Sequence, residues 1–170
     1  MFWSNKRTAN SIKRTANSIQ RAAYSEERIG TVTPLTNNGV VCSIPKFCEE
    51  NDIPEGYTLE SFAELVESVS KRSYPNLPSC VGFCTYFKRS MLEEVGLFDE
   101  AHFPRGYGEE NDLSCRLQKA GWRDVLADDT FVYHKGRVSF GTEQSALSEQ
   151  GEAALRRLHP AYYPSVSRFV

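Results

Sequence analysis

Three acids crowd the run from Gly106 to Leu113: Glu109, Glu110 and Asp112, directly after the glycines Gly106 and Gly108. Carboxylates in the first turn of a helix are favoured by the free N–H groups and the helix dipole, so capping alone explains some of this charge. Three acids so close together also repel one another, which is more than capping requires. A carboxylate held at a helix start beside a glycine-rich loop is well placed to meet a hydroxyl. It could act as a general base if its pKa suits the working pH. A second place is His134, which ends the run Thr130–His134 just before Lys135 and Gly136. A lone histidine is more often structural than a ligand. Here, however, an apolar strand opens into a glycine-bearing loop, where ligands of α/β sheets gather. Lys135 and Arg137 beside it could meet a phosphate.

The elements that must position these groups read as an α/β domain beginning near Ile29. Residues 29–34 predict a short buried strand closed by Pro34. Residues 35–57 hold Asn37, Asn38, Gly39, Pro45, Pro54 and Gly56, a composition of turns and loop. Thr58 is placed to cap a helix whose Leu59, Phe62, Leu65, Val66 and Val69 form one apolar face. Cys80–Phe87 reads as a strand, with Gly82 where a backbone or ligand approaches closely. Arg89–Val95 is a short helix stopped by Gly96. A helix runs from near Glu109 to Ala120 with Gly121 as its stop. Two short strands are expected at Trp122–Ala127 and Thr130–His134. After a loop over 135–141, Thr142 caps a last helix ending near Leu158, before Pro160.

Residues 1–25 have a different texture. Lys6–Ile12 and Lys13–Ile19 are identical seven-residue units, and a degenerate third copy follows over 20–26. Ala9, Ile12, Ala16, Ile19 and Ala23 alternate at spacings of three and four, a thin heptad seam. Lys6, Arg7, Lys13, Arg14 and Arg21 make it basic. We read the segment as a solvated helix or arm in preference to a partner-binding helix.

The 170 residues suffice for one domain with a real core. A formal charge of −2 gives no electrostatic reason to expect nucleic acid or an anionic membrane as partner. No apolar run reaches the roughly 20 residues of a transmembrane helix, and the basic N-terminus has no apolar stretch of a secretory signal behind it. The expected location is cytoplasmic. The cysteines Cys42, Cys48, Cys80, Cys84 and Cys115 are odd in number and lack C-x-x-C spacing, which reads as free thiols.

Taken in order, Val81–Arg89, Glu94–Glu100, Tyr107–Leu113 with Arg116, Ala120–Trp122, and Phe131–His134 with Gly136 resemble family-2 inverting glycosyltransferases of the GT-A fold. The likeness is to bacterial surface-polysaccharide and rhamnosyltransferase-like members, over roughly residues 22–165. The resemblance implies that Glu109, Glu110 and Asp112 match the family's acidic motif, with Glu110 as catalytic base and Glu109 as runner-up. It implies that His134 helps hold a divalent cation, Mg²⁺ or Mn²⁺, at the leaving diphosphate. Gly82 would border the donor sugar, and the loop over 103–108, with Tyr107 and Gly108, would border the acceptor. A nucleotide-sugar donor and a saccharide acceptor are the implied partners.

In such families a Rossmann-like donor half with an Asp-x-Asp motif precedes the strand at 31–34. The repeat occupies that place here, so the expectation is a truncated GT-A fold: residues 26–170 as the acceptor and catalytic half, without the nucleotide-binding half. A lone histidine does not hold Mg²⁺ or Mn²⁺, which prefer oxygen ligands. Loss of half a sheet would leave the first strand with an unpaired edge, predicting a homo-oligomer. Three readings stay open: an inactive relic, an enzyme completed by a donor half from elsewhere, and a saccharide- or protein-binding module.

Overall fold

A computed structural model of the chain describes residues 2–104, 106–136 and 144–170. Arg137 and the expected cap Thr142 lie outside the described residues, as does most of the 135–141 loop. The order is α1 (Phe2–Ala23), β1 (Ile29–Leu35), α2 (Leu59–Val69), β2 (Tyr86–Phe87), α3 (Arg89–Val95), α4 (Glu109–Lys119), β3 (Arg123–Phe131), α5 (Gln144–Leu158) and α6 (Tyr162–Phe169). The chain is thus mixed α/β.

The sheet has the order β2-β1-β3. β1 runs antiparallel to β2, with Val32 opposite Tyr86, and parallel to β3, with Val32 opposite Val125. β1 is therefore the central strand, and the expected unpaired edge on it does not exist. One face of the sheet is covered from within the chain, because Ile19, Ala22 and Ala23 of α1 pack with Ile29, Val32, Val125 and Ala127. This also corrects the reading of the repeat as a solvated arm. Its last turns are core, and Arg21 reaches the buried Asp129 at 2.6 Å. The two identical repeats thus differ in fate: Ile19 is 7% exposed and Ile12 is 65% exposed.

Two strands were expected where β3 is one, but the interruption is real. The register with β1 jumps from Ala127 to Phe131 between Pro34 and Leu35. The intervening acids leave the ladder for partners of their own. The Asp128 carboxylate accepts bonds from Ser70, from Ser73 and from the Tyr74 amide. That of Asp129 takes Arg21, Arg72 and the Tyr74 hydroxyl. The strand expected over 80–87 shrinks to Tyr86–Phe87, because Gly82 and Phe83 turn the chain before it reaches the sheet.

Local signals set the helices. Thr58 caps α2 in a reciprocal box with Ser61, and Phe62 and Val66 turn inward to Phe131, with the Phe62 and Phe131 rings edge to face at 5.0 Å. Gly96 ends α3 at a φ of 86°. α4 buries Leu113 and Leu117 against Met91 and Trp122. It is tied to the sheet through Asp124 of β3, a fully buried carboxylate that accepts from Thr31, Ser114 and Gln118. Burial raises the Asp124 pKa against the pull of those three donors.

Candidate active site

The backbone ahead of α4 is unusual. Gly106, Tyr107 and Gly108 all have positive φ, at 85°, 64° and 118°. Gly108 sits where a side chain would strike the Phe103 ring at 3.0 Å, so a tight turn delivers Glu109 and Glu110 at the helix start. No side chain caps this end, and the Glu110 carboxylate meets the backbone N–H groups of Gly108 and Glu110. The turn is backed by α5. A Cβ on Gly151 would lie 1.7 Å from the Tyr107 carbonyl oxygen, so only glycine lets the loop seat there.

The three acids separate. Glu110 is half-buried, and its carboxyl lies 3.8 Å from the position a Cβ on the exposed Gly82 would take. Its pKa is raised to about 7, first by burial and then by the neighbouring Glu109 charge, against the pull of the backbone N–H groups of Glu110 and Gly108. Glu109 is also half-buried, and its carboxyl lies 3.6 Å from the Cβ position of Gly106. Asp112 is buried and engaged elsewhere. Arg116 Nε donates to one oxygen at 2.8 Å and His159 Nε2 contacts the other at 2.7 Å. Arg116 also caps α3 through the carbonyls of Val95 and Leu97. Both Asp112 oxygens are therefore engaged in holding the helix.

His134 is held from two sides. Its amide donates to the Asn37 side chain at 2.7 Å, and its Nδ1 lies 2.8 Å from the Asn38 carbonyl oxygen. A carbonyl only accepts, so Nδ1 carries the proton and Nε2 is the lone-pair nitrogen of the neutral ring. The ring stacks on Phe83 at 5.1 Å. Glu110 and His134 thus flank one turn, Glu110 beside Gly82 and His134 beside Phe83. Neighbouring Lys135 is exposed. Tyr107, expected as a stacking surface, is half-buried with its hydroxyl inside.

The tautomer of His134 suits a metal ligand, but one nitrogen is not a site. Among the described residues no three His, Cys, Asp or Glu side chains converge to hold an ion. Among the described residues the donor set does not fit Mg²⁺ or Mn²⁺, which prefer several oxygen ligands. A cleft of about 370 Å³ opens between α1 and α2 over Asp129 and Phe131, and none of the expected site residues lines it. Among the described residues no helix is long and apolar enough to cross a membrane.

Several contributors escaped the sequence reading. Asn37 and Asn38 carry only a turn signal, Phe83 only a strand signal. His159 meets Asp112 across 47 residues, a contact that no local pattern announces.

No protein-family model and no solved structure matches the chain. Over 65 residues it is 38% identical to N-acetylglucosaminyl-diphospho-decaprenol L-rhamnosyltransferase from two strains of Mycobacterium tuberculosis, a stretch covering 38% of this chain and 20% of the relative. The chain spans about a fifth of the length of the curated relatives it matches. Over that stretch it is similar in sequence to a glycosyltransferase.

Proposed function

We propose that the chain carries the acceptor and catalytic side of a GT-A-type glycosyl-transfer site, with Glu110 as the base. Glu110 takes the proton of an acceptor hydroxyl as its oxygen bonds to the anomeric carbon of a nucleoside-diphosphate sugar. The bond from that carbon to the diphosphate breaks on the opposite face, the diphosphate leaves with the electron pair, and configuration inverts. Burial, and after it the Glu109 charge, keep the Glu110 pKa high enough for the carboxylate to be an effective base near neutrality. The observation that carries this reading is the half-buried Glu110 carboxyl, titrating near 7 beside the exposed turn at Gly82. The likeness to a rhamnosyltransferase supports it and suggests a diphosphate-linked N-acetylglucosamine as acceptor.

The test supplies the full chain with N-acetylglucosamine diphosphate on a short prenyl tail and with UDP- or dTDP-linked sugars, with and without Mn²⁺. Expected are acceptor binding by calorimetry, kept in Glu110→Gln, and, once a donor-binding half is supplied in trans, transfer that rises with pH through about 7 and is lost in that variant. Transfer at undiminished rate in Glu110→Gln would remove the carboxyl from the chemistry. Acceptor binding with no transfer under any condition would favour the second reading, a saccharide-binding module.

A further inference from the structure

The residues following Glu110 are both gripped by the C-terminal helices. His159, 7% exposed in the turn between α5 and α6, contacts Asp112 through Nε2 at 2.7 Å. Its Nδ1 lies 3.0 Å from Lys119 Nζ. An ammonium has only donors, so Nδ1 is the acceptor, Nε2 carries the proton, and the ring donates to the Asp112 carboxylate. Tyr162, at the start of α6, donates from its hydroxyl to the Asn111 side-chain oxygen at 2.8 Å. Ser79, beside the Gly82 turn, donates to the same oxygen at 2.7 Å. On the other side of Glu110, Gly151 of α5 backs the Tyr107 carbonyl. Three contacts from one helical corner therefore hold residues 107, 111 and 112, which bracket the candidate base.

We propose that the α5–α6 corner is a brace that positions Glu110, with His159 acting through Asp112, Tyr162 through Asn111, and Gly151 through the Tyr107 carbonyl. His159 and Tyr162 are positioning residues and touch no reacting atom. The arrangement does two things. It ties Asp112 to Arg116 and His159. It also links α6 to the Ser79 segment through Asn111. The titratable groups facing Glu110 are Glu109 on its own helix, Tyr162 from α6, and Cys80, whose thiol contacts the Glu110 carbonyl. The meaning of the brace for transfer rests on the reading of Glu110 as base, but its existence does not.

The experiment reads the Glu110 carboxyl by NMR in the full chain labelled with ¹³C at glutamate Cδ, the signal being assigned by its loss in Glu110→Gln. In His159→Ala the first turn of α4 loosens, water reaches the Glu110 carboxyl, and the titration midpoint falls by about one pH unit. His159→Gln, which keeps a donor for Asp112, returns it close to the parent value. Tyr162→Phe, which loses one hydroxyl and keeps its ring, shifts the midpoint the same way by less. Ile19→Ala, which weakens the fold at the α1 contact, leaves it in place, so a midpoint moved equally by that variant would reduce the brace to general stability. An unchanged midpoint in folded His159→Ala overturns the proposal. Should that variant not fold, an unchanged midpoint in Tyr162→Phe does so. No sugar enters the measurement, so a failure of Glu110 as transfer base and a failure of the brace give separate results.

Discussion

Replacing Glu110 by glutamine removes a carboxyl that the folded chain ionises at a cost. Its pKa rises from an ordinary 4.5 to about 7, chiefly by burial and secondly by Glu109. The folded state therefore holds this proton more tightly than the unfolded one. Below the unfolded value both states are protonated and the group costs nothing. Between the two values stability falls as pH rises, and above the folded value the full cost remains. At about 1.4 kcal/mol per pH unit the interval corresponds to about 3 kcal/mol, which partial solvent access reduces to about 2 kcal/mol. Glu110→Gln should thus be more stable than the parent by about 2 kcal/mol at pH 8 and equal to it near pH 4.5. Urea unfolding of both proteins across that range measures the difference, in which other shifted groups such as Asp124 cancel. A variant less stable at pH 8, or a difference flat in pH, would refute the reasoning. The expected result, a more stable protein without transfer, is the signature of a group kept for chemistry at the expense of the fold.

Other substitutions test the architecture around the site. Ile19→Ala should cost about 2–4 kcal/mol and Ile12→Ala less than about 0.5 kcal/mol in the same urea assay, although both stand at one position of identical repeats. Gly151→Ala, which in an open helix would stabilise by about 1 kcal/mol, should instead destabilise by about 2–3 kcal/mol, because its methyl meets the Tyr107 carbonyl. A stabilised Gly151→Ala would show that the loop does not rest on α5. Thr58→Ala should lower stability by about 1 kcal/mol through loss of the capping box, and Thr58→Ser should retain most of it.

What could be read from residues alone is what neighbouring residues decide between themselves. Thr58 starts α2, Gly96 stops α3, and Gly106 and Gly108 precede a helix opening on Glu109, all where cap and glycine chemistry put them. The helix α6 escaped because Pro160 closes the last helix that the sequence reading expects. Pro164 falls in the first turn of α6, where the missing N–H has no intrahelical partner to lose. The acidic run was legible as the start of a helix, whereas the strand expected to run to His134 ends at Phe131 and His134 lies three residues beyond it.

Tertiary structure decided how those residues divide the work. Sequence offers Glu109, Glu110 and Asp112 as near equals. Only the approach of Arg116 and His159 commits Asp112 to holding the helix, and only burial in the folded chain desolvates Glu110. Sequence makes the two repeats identical, and the sheet face takes Ile19 while leaving Ile12 in solvent. The physical reason is common to these cases. A local pattern fixes which backbone geometry is cheap, whereas burial and charge compensation depend on groups brought from tens of residues away, and it is those that set a pKa or a packing energy.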